Sequence, residues 1–310
     1  MDAIEIAGLQ KTYLTGFWRK RPKEALHPLH LTIPEGEVFG YLGPNGAGKT
    51  TTLKLLMGLV FPTAGYARIL GRDWRDPEIK AQIGYLPEQP YFYDYLTASE
   101  LLDYFAQLSG VPAAERRRRV ANMLERVGLT ESGSVQLRKF SKGMLQRIGI
   151  AQAIIHDPRI VFLDEPMSGL DPIGRREVRD LIQSLKDDGK TVFFSTHILS
   201  DAEALCDRIA VINRGEVRGV GIVQELLARF SGTVEIIWDG AAHALSTMAS
   251  DIHVSGDTAR AIVPQQDLDA AIDKIRSANG RLLSVTPVRA SLEDYFLEKI
   301  GQDAPAELAR

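Results

Sequence analysis

A glycine-rich stretch, Gly43-Pro-Asn-Gly-Ala-Gly-Lys-Thr50, has the residue types and the spacing of a phosphate-binding loop. It fits the pattern G-x-x-x-x-G-K-[ST] and lies between a predicted buried strand and a predicted helix. Glycines let the backbone wrap closely, so that consecutive N–H groups point at phosphate oxygens, and the helix N-terminus adds partial positive charge. Lys49 can reach the β- and γ-phosphates, and the Thr50 hydroxyl can bind Mg²⁺. An ordinary glycine-rich turn is the alternative, and the context favours a nucleotide site.

Two acidic residues and a histidine follow later apolar runs and could complete such a site. Asp164 and Glu165 end the run Ile160-Val-Phe-Leu, which we interpret as a buried strand. Open α/β sheets bind ligands at the carboxyl ends of their strands, so Asp164 is suited to hold a metal and Glu165 to polarise an attacking water. His197 follows another buried strand. Taken alone, the acids could be a solvated strand end and the histidine a structural residue, but the phosphate loop favours the functional interpretation.

The elements that would position these residues alternate between strands and helices. Short apolar runs predict buried strands at residues 37–42, 82–86, 159–163 and 191–195. Apolar residues at helical spacing predict helices at residues 49–57, 96–127 and about 178–185. Ser200-Asp-Ala-Glu203 predicts a capping box that opens a further helix. The alternation is typical of an α/β protein with a mostly parallel sheet covered on both faces.

The pattern changes after about Gly221, and we expect a second, smaller domain there. Strands are predicted at residues 233–238, 252–254, 260–263 and 281–285, the middle two joined by a hairpin. Helices are predicted at residues 241–249, 268–278 and 291–300. The order β-α-β-β-α-β plus a closing helix predicts a small ferredoxin-like α+β domain. The expected domains are therefore residues 1–220 and 221–310.

Composition narrows the class of protein. The 310 residues carry a net charge of −3, whereas a protein that coats nucleic acid is normally basic, so no nucleic-acid partner is expected. Cys206 is the single cysteine, which excludes an internal disulfide framework and a cysteine-based zinc cluster. No apolar run approaches the roughly 18 residues that cross a bilayer, and the first residues do not resemble a signal peptide. These features predict a cytoplasmic protein.

The ordered motifs, which cover residues 2 to about 220, closely resemble the ATP-binding cassette of ABC transporters, a P-loop NTPase fold. Tyr13 stands where the family has an aromatic residue that stacks on adenine, and Gln89 matches the Q-loop. Phe140-Ser-Lys-Gly-Met-Leu-Gln-Arg147 is similar to the family signature. Ser168-Gly-Leu-Asp171 matches the D-loop, and His197 matches the switch histidine. The resemblance implies a mixed sheet, an antiparallel β subdomain and a helical subdomain at about residues 90–150.

The resemblance also implies a role for each matching residue. Glu165 would be the general base, and His197 would hold the γ-phosphate. Gln89 would help to place Mg²⁺ and the attacking water and would report the nucleotide state to a membrane partner. The metal residues would be Thr50, Gln89 and Asp164. The nucleotide would be bound by Tyr13, Gly43, Pro44, Asn45, Gly46, Ala47, Gly48, Lys49, Thr50, Thr51, Ser141, Gly143 and Asp171.

Two of these nucleotide-binding residues, Ser141 and Gly143, would contact the γ-phosphate of ATP held by a second copy of the chain. A helix N-terminus with serine and glycine is an anion site, which would complete a pocket that one cassette leaves open. The sequence departs from the usual signature Leu-Ser-Gly-Gly-Gln, because Lys142 replaces the first glycine and Met144 replaces the glutamine. The signature serine and the following glycine are present, so the anion contact is expected to persist.

The sequence is therefore interpreted as an ATP-hydrolysing subunit that binds ATP and Mg²⁺ and drives a separate integral membrane permease, as a homodimer on the cytoplasmic face. The signature variant and Ser291-Leu-Glu-Asp-Tyr-Phe296 resemble cassettes of exporters, which favours export. The alternative is a soluble ABC ATPase that acts on ribosomes or DNA. Such relatives usually have two cassettes or long coiled coils, which this sequence lacks. A non-hydrolytic regulator is a third possibility, but it should lack the base that Glu165 supplies.

Overall fold

Strands and helices alternate along the chain in the computed structural model, which describes residues 2–16, 20–230, 232–249, 252–287 and 291–301. The described strands are β1 (Asp2–Thr15), β2 (Arg21–Pro34), β3 (Val38–Leu42), β4 (Ala64–Ile69), β5 (Arg72–Asp73), β6 (Ile83–Leu86), β7 (Ile160–Asp164), β8 (Thr191–Thr196), β9 (Arg208–Asn213), β10 (Glu216–Ile222), β11 (Thr233–Asp239), β12 (Ile252–Ser255), β13 (Thr258–Pro264) and β14 (Arg281–Pro287). The α-helices are α1 (Lys49–Leu56), α2 (Pro77–Lys80), α3 (Ala98–Leu108), α4 (Ala113–Arg126), α5 (Lys142–Ile154), α6 (Pro172–Asp187), α7 (Leu199–Leu205), α8 (Val223–Phe230), α9 (Leu268–Ser277) and α10 (Leu292–Gly301). Contacts divide the chain into two compact units, one that contains the described residues up to Ile222 and one that spans Val223–Gly301.

The central sheet of the first unit has the strand order β10-β9-β3-β8-β7-β6. Its strands from β9 to β6 run parallel, and β10 pairs antiparallel with β9 at the edge. Every residue of β3, β7 and β8 is buried, which explains why these strands are mostly apolar in the sequence. The four strands predicted for this region are confirmed, each to within one residue at its ends.

A second sheet of the first unit is antiparallel, with the order β2-β1-β4-β5, and is built on the long hairpin of β1 and β2. It shares one hydrophobic core with the central sheet and with α1. This core contains Ile4 of β1, Phe39 of β3, Leu53 of α1 and Phe162 of β7. The shared core fixes the hairpin beside the helix that begins at the phosphate loop.

The helices α3, α4 and α5 pack against one another and follow β6 in the chain. The helical character predicted for residues 96–127 is confirmed, and it is divided between two helices, because α3 ends at Leu108 and α4 begins at Ala113. Gly110, between them, has a left-handed φ of 76°. Pro112 immediately precedes α4, and proline cannot donate the backbone hydrogen bond that a continuous helix needs there.

The start of α7 also differs from the sequence prediction. The capping box predicted at residues 200–203 is wrong, because α7 begins at Leu199 with Ile198 at the N-cap and no side-chain cap. Asp201, in the first turn of α7, forms an ion pair with Arg175 of α6.

The second unit contains an antiparallel sheet of order β12-β13-β11-β14, with α9 between β13 and β14 in the chain. Its core contains Trp238 of β11, Val263 of β13 and Ile275 of α9. The hairpin of β12 and β13 is confirmed, as are α9 and α10. The helix predicted at residues 241–249 is wrong, because turns occupy residues 242–248 and Ala241 has a left-handed φ of 46°. The ferredoxin-like order of strands is therefore present without its first helix.

Candidate nucleotide-binding site

The glycine-rich loop connects β3 to α1 and carries its lysine at the first position of the helix. Gly48 caps α1 with a φ of 111°, a left-handed conformation that favours glycine. A Cβ there would lie 2.8 Å from the carbonyl oxygen of Ala25 in β2, so a larger residue would also clash. The Lys49 ammonium donates hydrogen bonds to the carbonyl oxygens of Gly43 at 2.6 Å and Pro44 at 3.2 Å. The loop is thus wrapped around its own lysine.

A cavity of about 730 Å³ opens above this loop. It lies between the loop, the hairpin of β1 and β2, and the carboxyl ends of the central strands. Tyr13 forms part of its wall, and the Lys11 ammonium lies 4.9 Å from the centre of the Tyr13 ring. The predicted site residues that line the cavity are Tyr13, Asn45, Gly46, Ala47, Gly48, Lys49, Thr50, Thr51, Glu165 and His197.

Glu165 links the lysine of the loop to the histidine. Its Oε1 lies 3.1 Å from the Lys49 ammonium, and its Oε2 lies 2.9 Å from Nδ1 of His197. The Glu165 and Lys49 side chains are 7% and 6% exposed, whereas His197 is 40% exposed. A buried carboxylate held from both sides faces the cavity with a defined orientation, as a general base requires.

Asp164 lies at the end of β7, almost completely buried. Its Oδ1 accepts a hydrogen bond of 2.5 Å from the Ser195 hydroxyl in β8, while its Oδ2 is buried with no hydrogen-bond partner among the described residues. Burial raises the pKa of Asp164, and the hydroxyl groups of Ser195 and Thr50 oppose this increase. A buried, partnerless carboxylate oxygen beside a hydroxyl is a donor set of the kind that Mg²⁺ prefers, so these residues fit the metal.

A second, smaller cavity of about 340 Å³ contains three further predicted nucleotide residues, Ser141, Gly143 and Asp171. Gly43 and Pro44, also predicted, line neither cavity, and their carbonyl oxygens accept hydrogen bonds from Lys49. Ser141 caps α5, where its hydroxyl accepts a hydrogen bond from the Met144 N–H at 3.2 Å. Asp171 caps α6 by accepting from the Gly174 N–H at 2.7 Å. The structure therefore does not bring these three residues to the first cavity. They form a separate surface on the same chain.

The signature substitution Lys142 lies in this second cavity. Its ammonium folds over Gly169, where a Cβ would be only 2.2 Å from the Lys142 nitrogen. Gly169 has a φ of 66°, so both its backbone conformation and its lack of a side chain make room for the lysine. The residue that departs from the usual family signature is thus accommodated by the loop that precedes α6.

Gln89 lies in the loop after β6 with an exposed side chain, and its neighbour Glu88 lines the first cavity instead. Sequence reasoning missed Glu88, and it also missed Arg214, which lines the same cavity from the turn between β9 and β10. This turn is attached to the phosphate loop by a hydrogen bond of 2.8 Å from the Gly215 N–H to the Ala47 carbonyl oxygen. Asn-Arg-Gly is a turn signal, but only the fold shows that the turn reaches the loop.

Residues 26–168 match the family model described as ABC transporter. An ABC transporter ATP-binding protein of a Synechocystis strain is 46% identical over 97% of this chain and 85% of its own length. The chain belongs to the ABC transporter ATP-binding proteins. It is also 37% identical to the bacitracin transport ATP-binding protein BcrA of Bacillus licheniformis, over 90% of this chain and 93% of BcrA. The linearmycin resistance ATP-binding protein LnrL of Bacillus subtilis is 32% identical, over 90% and 94%.

Solved structures agree with the family. A dimeric, post-hydrolysis structure of the ATP-binding cassette MJ0796, bound to ADP and Pi, matches with a TM-score of 0.65 and 28% identity, over 71% of this chain and 98% of that one. This chain is thus an ABC ATPase, which binds and hydrolyses ATP as the ATP-binding subunit of a transporter. Among the described residues, no helix has both the length and the apolar character to span a membrane.

Proposed function

We propose that this ABC ATPase energises export through a separate membrane permease and that two copies of the chain enclose ATP between them. The contact of the Glu165 carboxylate with Lys49 and His197 carries the catalytic part of the proposal, because it sets a buried base at the wall of the nucleotide cavity. The second cavity, which is separate from the first, supports the dimer: one chain presents two half-sites rather than one complete site.

In the proposed reaction, the triphosphate lies along the glycine-rich loop with its backbone N–H groups and Lys49 directed at the phosphate oxygens. Phosphate oxygens would compete with Glu165 for the lysine, which would free the carboxylate to accept a proton from the attacking water. His197 would donate a hydrogen bond to the γ-phosphate while its other ring nitrogen faces Glu165. Thr50 and Asp164 would hold Mg²⁺, which supplies charge neutralisation when it is bound.

The second copy would complete each site with its Ser141 and Gly143, at the N-terminus of α5, and with its Asp171. ADP lacks the γ-phosphate that these groups would hold, so ATP and not ADP should stabilise the dimer. The dimeric state of MJ0796 supports this arrangement for a related cassette.

Export is supported by the relatives whose names give a direction or a cargo, a bacitracin transport protein and a linearmycin resistance protein. The permease would bring the protein to the cytoplasmic face of the membrane. A solved relative, cbiO1, is part of the transporter complex cbiONQ, which supports a separate permease as partner. No observation on this structure favours the alternative of a soluble ATPase acting on ribosomes or DNA.

The test is the substitution Glu165→Gln, which removes the base but keeps the size and hydrogen-bonding ability of the side chain. Turnover should fall by about 10²–10⁴. Size-exclusion chromatography with light scattering should show a dimer with Mg-ATP and a monomer with Mg-ADP, since undepleted ATP shifts the population toward dimer. Glu131→Gln, an exposed acid outside both cavities, is the control and should behave as the wild type. Wild-type turnover in the Glu165 variant, or a monomer saturated with ATP, would contradict the proposal.

A further inference from the structure

Two helices begin shortly after the two residues that the proposed hydrolysis depends on. α6 starts seven residues after Glu165, and α7 starts two residues after His197. The first turns of these helices are joined by an ion pair, in which Nη2 of Arg175 lies 3.3 Å from Oδ2 of Asp201. The helices α6 and α7 are in direct contact. The pair therefore links the chain that leaves Glu165 to the chain that leaves His197.

This ion pair is not a surface contact. The Asp201 side chain is 3% exposed, and Arg175 is 27% exposed. Burying an ionised carboxylate without a partner costs free energy. Asp201 therefore depends on its cationic neighbours to remain ionised. Burial raises the pKa of Asp201, and the charges of Arg175, Arg179 and His197 oppose that rise while Glu165 adds to it. Asp201 is thus electrostatically in reach of both Glu165 and His197.

α6 also carries an exposed ion pair, which begins at Arg176, the residue after Arg175. Arg176 and Asp180 lie 3.9 Å apart with side chains 80% and 75% exposed. Exposed pairs of this kind contribute little to structure, since water screens them and the side chains lose entropy when they pair. The contrast separates a buried connection between two helices from a charge pair along one helix.

We propose that Arg175 and Asp201 are positioning residues that hold Glu165 and His197 in hydrolytic register by fixing the first turn of α6 against the first turn of α7. The proposal rests on the roles proposed above for Glu165 and His197. Asp171, the N-cap residue of α6, lines the second cavity. A displacement of that loop by the second copy would therefore reach His197 through the same ion pair. Neither Arg175 nor Asp201 lines the first cavity, so both would act through other residues.

The test uses Asp201→Asn and Arg175→Gln in the full chain, with Arg176→Gln as the matched control. Single-turnover release of labelled phosphate measures hydrolysis even when it is slow, and a fluorescent ATP analogue measures nucleotide affinity. Asp201→Asn and Arg175→Gln should lower kcat about ten- to a hundredfold, since small misplacements of reacting groups have effects of this size. The dissociation constant for ATP should stay within about twofold, and Arg176→Gln should change neither quantity.

The decisive measurement is a double-mutant cycle with His197→Ala. If the ion pair acts through the histidine, Asp201→Asn should add little to the loss that His197→Ala already causes, whereas independent effects would multiply. Arg175→Lys keeps the charge and should restore part of the rate, which a merely destabilised fold would not predict. Multiplicative losses, an equal weakening of ATP binding, or an unchanged kcat would overturn the proposal. A His197→Ala variant with wild-type turnover would instead refute the proposed role of the histidine.

Discussion

Glu37 offers a stability prediction whose size follows from its surroundings. It lies just before β3, at the opposite end of that strand from the phosphate loop, with its side chain 13% exposed and its Oε1 3.4 Å from Nη1 of Arg208. Burial raises the pKa of Glu37 from 4.5 to about 7, Arg208 lowers it, and Asp207 raises it further. A difference of this size corresponds to about 3 kcal/mol between the protonated and ionised forms.

The sign follows from proton binding. The folded chain holds the Glu37 proton up to about pH 7, while the unfolded chain releases it near pH 4.5. The stabilising effect of this proton is therefore fully present below pH 4.5 and is lost as the pH rises through 7. Glu37→Gln mimics the protonated side chain, so its stability advantage over the wild type should grow from about 1 kcal/mol at pH 5 to about 3 kcal/mol at pH 8.5.

Urea unfolding at several pH values between 5 and 8.5, followed by circular dichroism, measures this difference. The control is Glu35→Gln, two residues away, where the carboxylate pairs at 2.5 Å with an Arg159 that is 56% exposed. That exposed pair should contribute at most about 1 kcal/mol. A stability difference between Glu37→Gln and the wild type that stays constant with pH, or that favours the wild type at pH 8.5, would refute the reasoning.

Three further outcomes are expected. Gly40→Ala should destabilise the protein by about 1–3 kcal/mol in thermal unfolding, because its Cβ would lie 2.5 Å from Sγ of the buried Cys206, and Cys206→Ala should relieve part of this loss. A chain that ends at Ile222 should fold and bind ATP, measured with a fluorescent analogue, because the sheets and core of the first unit are complete before that residue. Gln89→Ala should leave ATP affinity nearly unchanged but lower the stimulation of hydrolysis by the permease in membranes, since Gln89 lies exposed in a loop that the cavity does not include.

The phosphate loop was predictable because all of its determinants are local. The spacing of its glycines, the lysine at the start of α1 and the apolar strand before it are visible in about a dozen consecutive residues. The order of strands supplies what the local pattern lacks. β7 and β8 are neighbours, so the residues that follow them, Glu165 and His197, meet at one edge of the sheet. The prediction that strand ends converge was therefore sufficient to pair two residues that are 32 positions apart.

Contacts between elements were harder to predict, because no local pattern indicates them. Asp201 lies between the two predicted capping residues of its helix and pairs with Arg175 on another helix. The helical pattern predicted over residues 96–127 has the correct apolar periodicity in both helices of that span. The Gly-Val-Pro sequence that begins at Gly110 and separates them is a short local signal within a long periodic one. Periodicity averages over many residues, so it identified the type of the elements better than their ends.

The backbone at Glu165 shows why the orientation of the base could not be obtained from strand alternation. Alternation directs Asp164 and Glu165 to opposite faces, yet both belong to the site in this structure. Glu165 has a left-handed φ of 50°, which is unfavourable for a residue with a side chain. Its N–H donates to both the carbonyl oxygen and the hydroxyl of Ser195, at 3.2 and 3.1 Å. Because the same hydroxyl donates to Asp164, one serine of β8 fixes the turn that aims Glu165 at Lys49 and also orients the carboxylate suited to the metal.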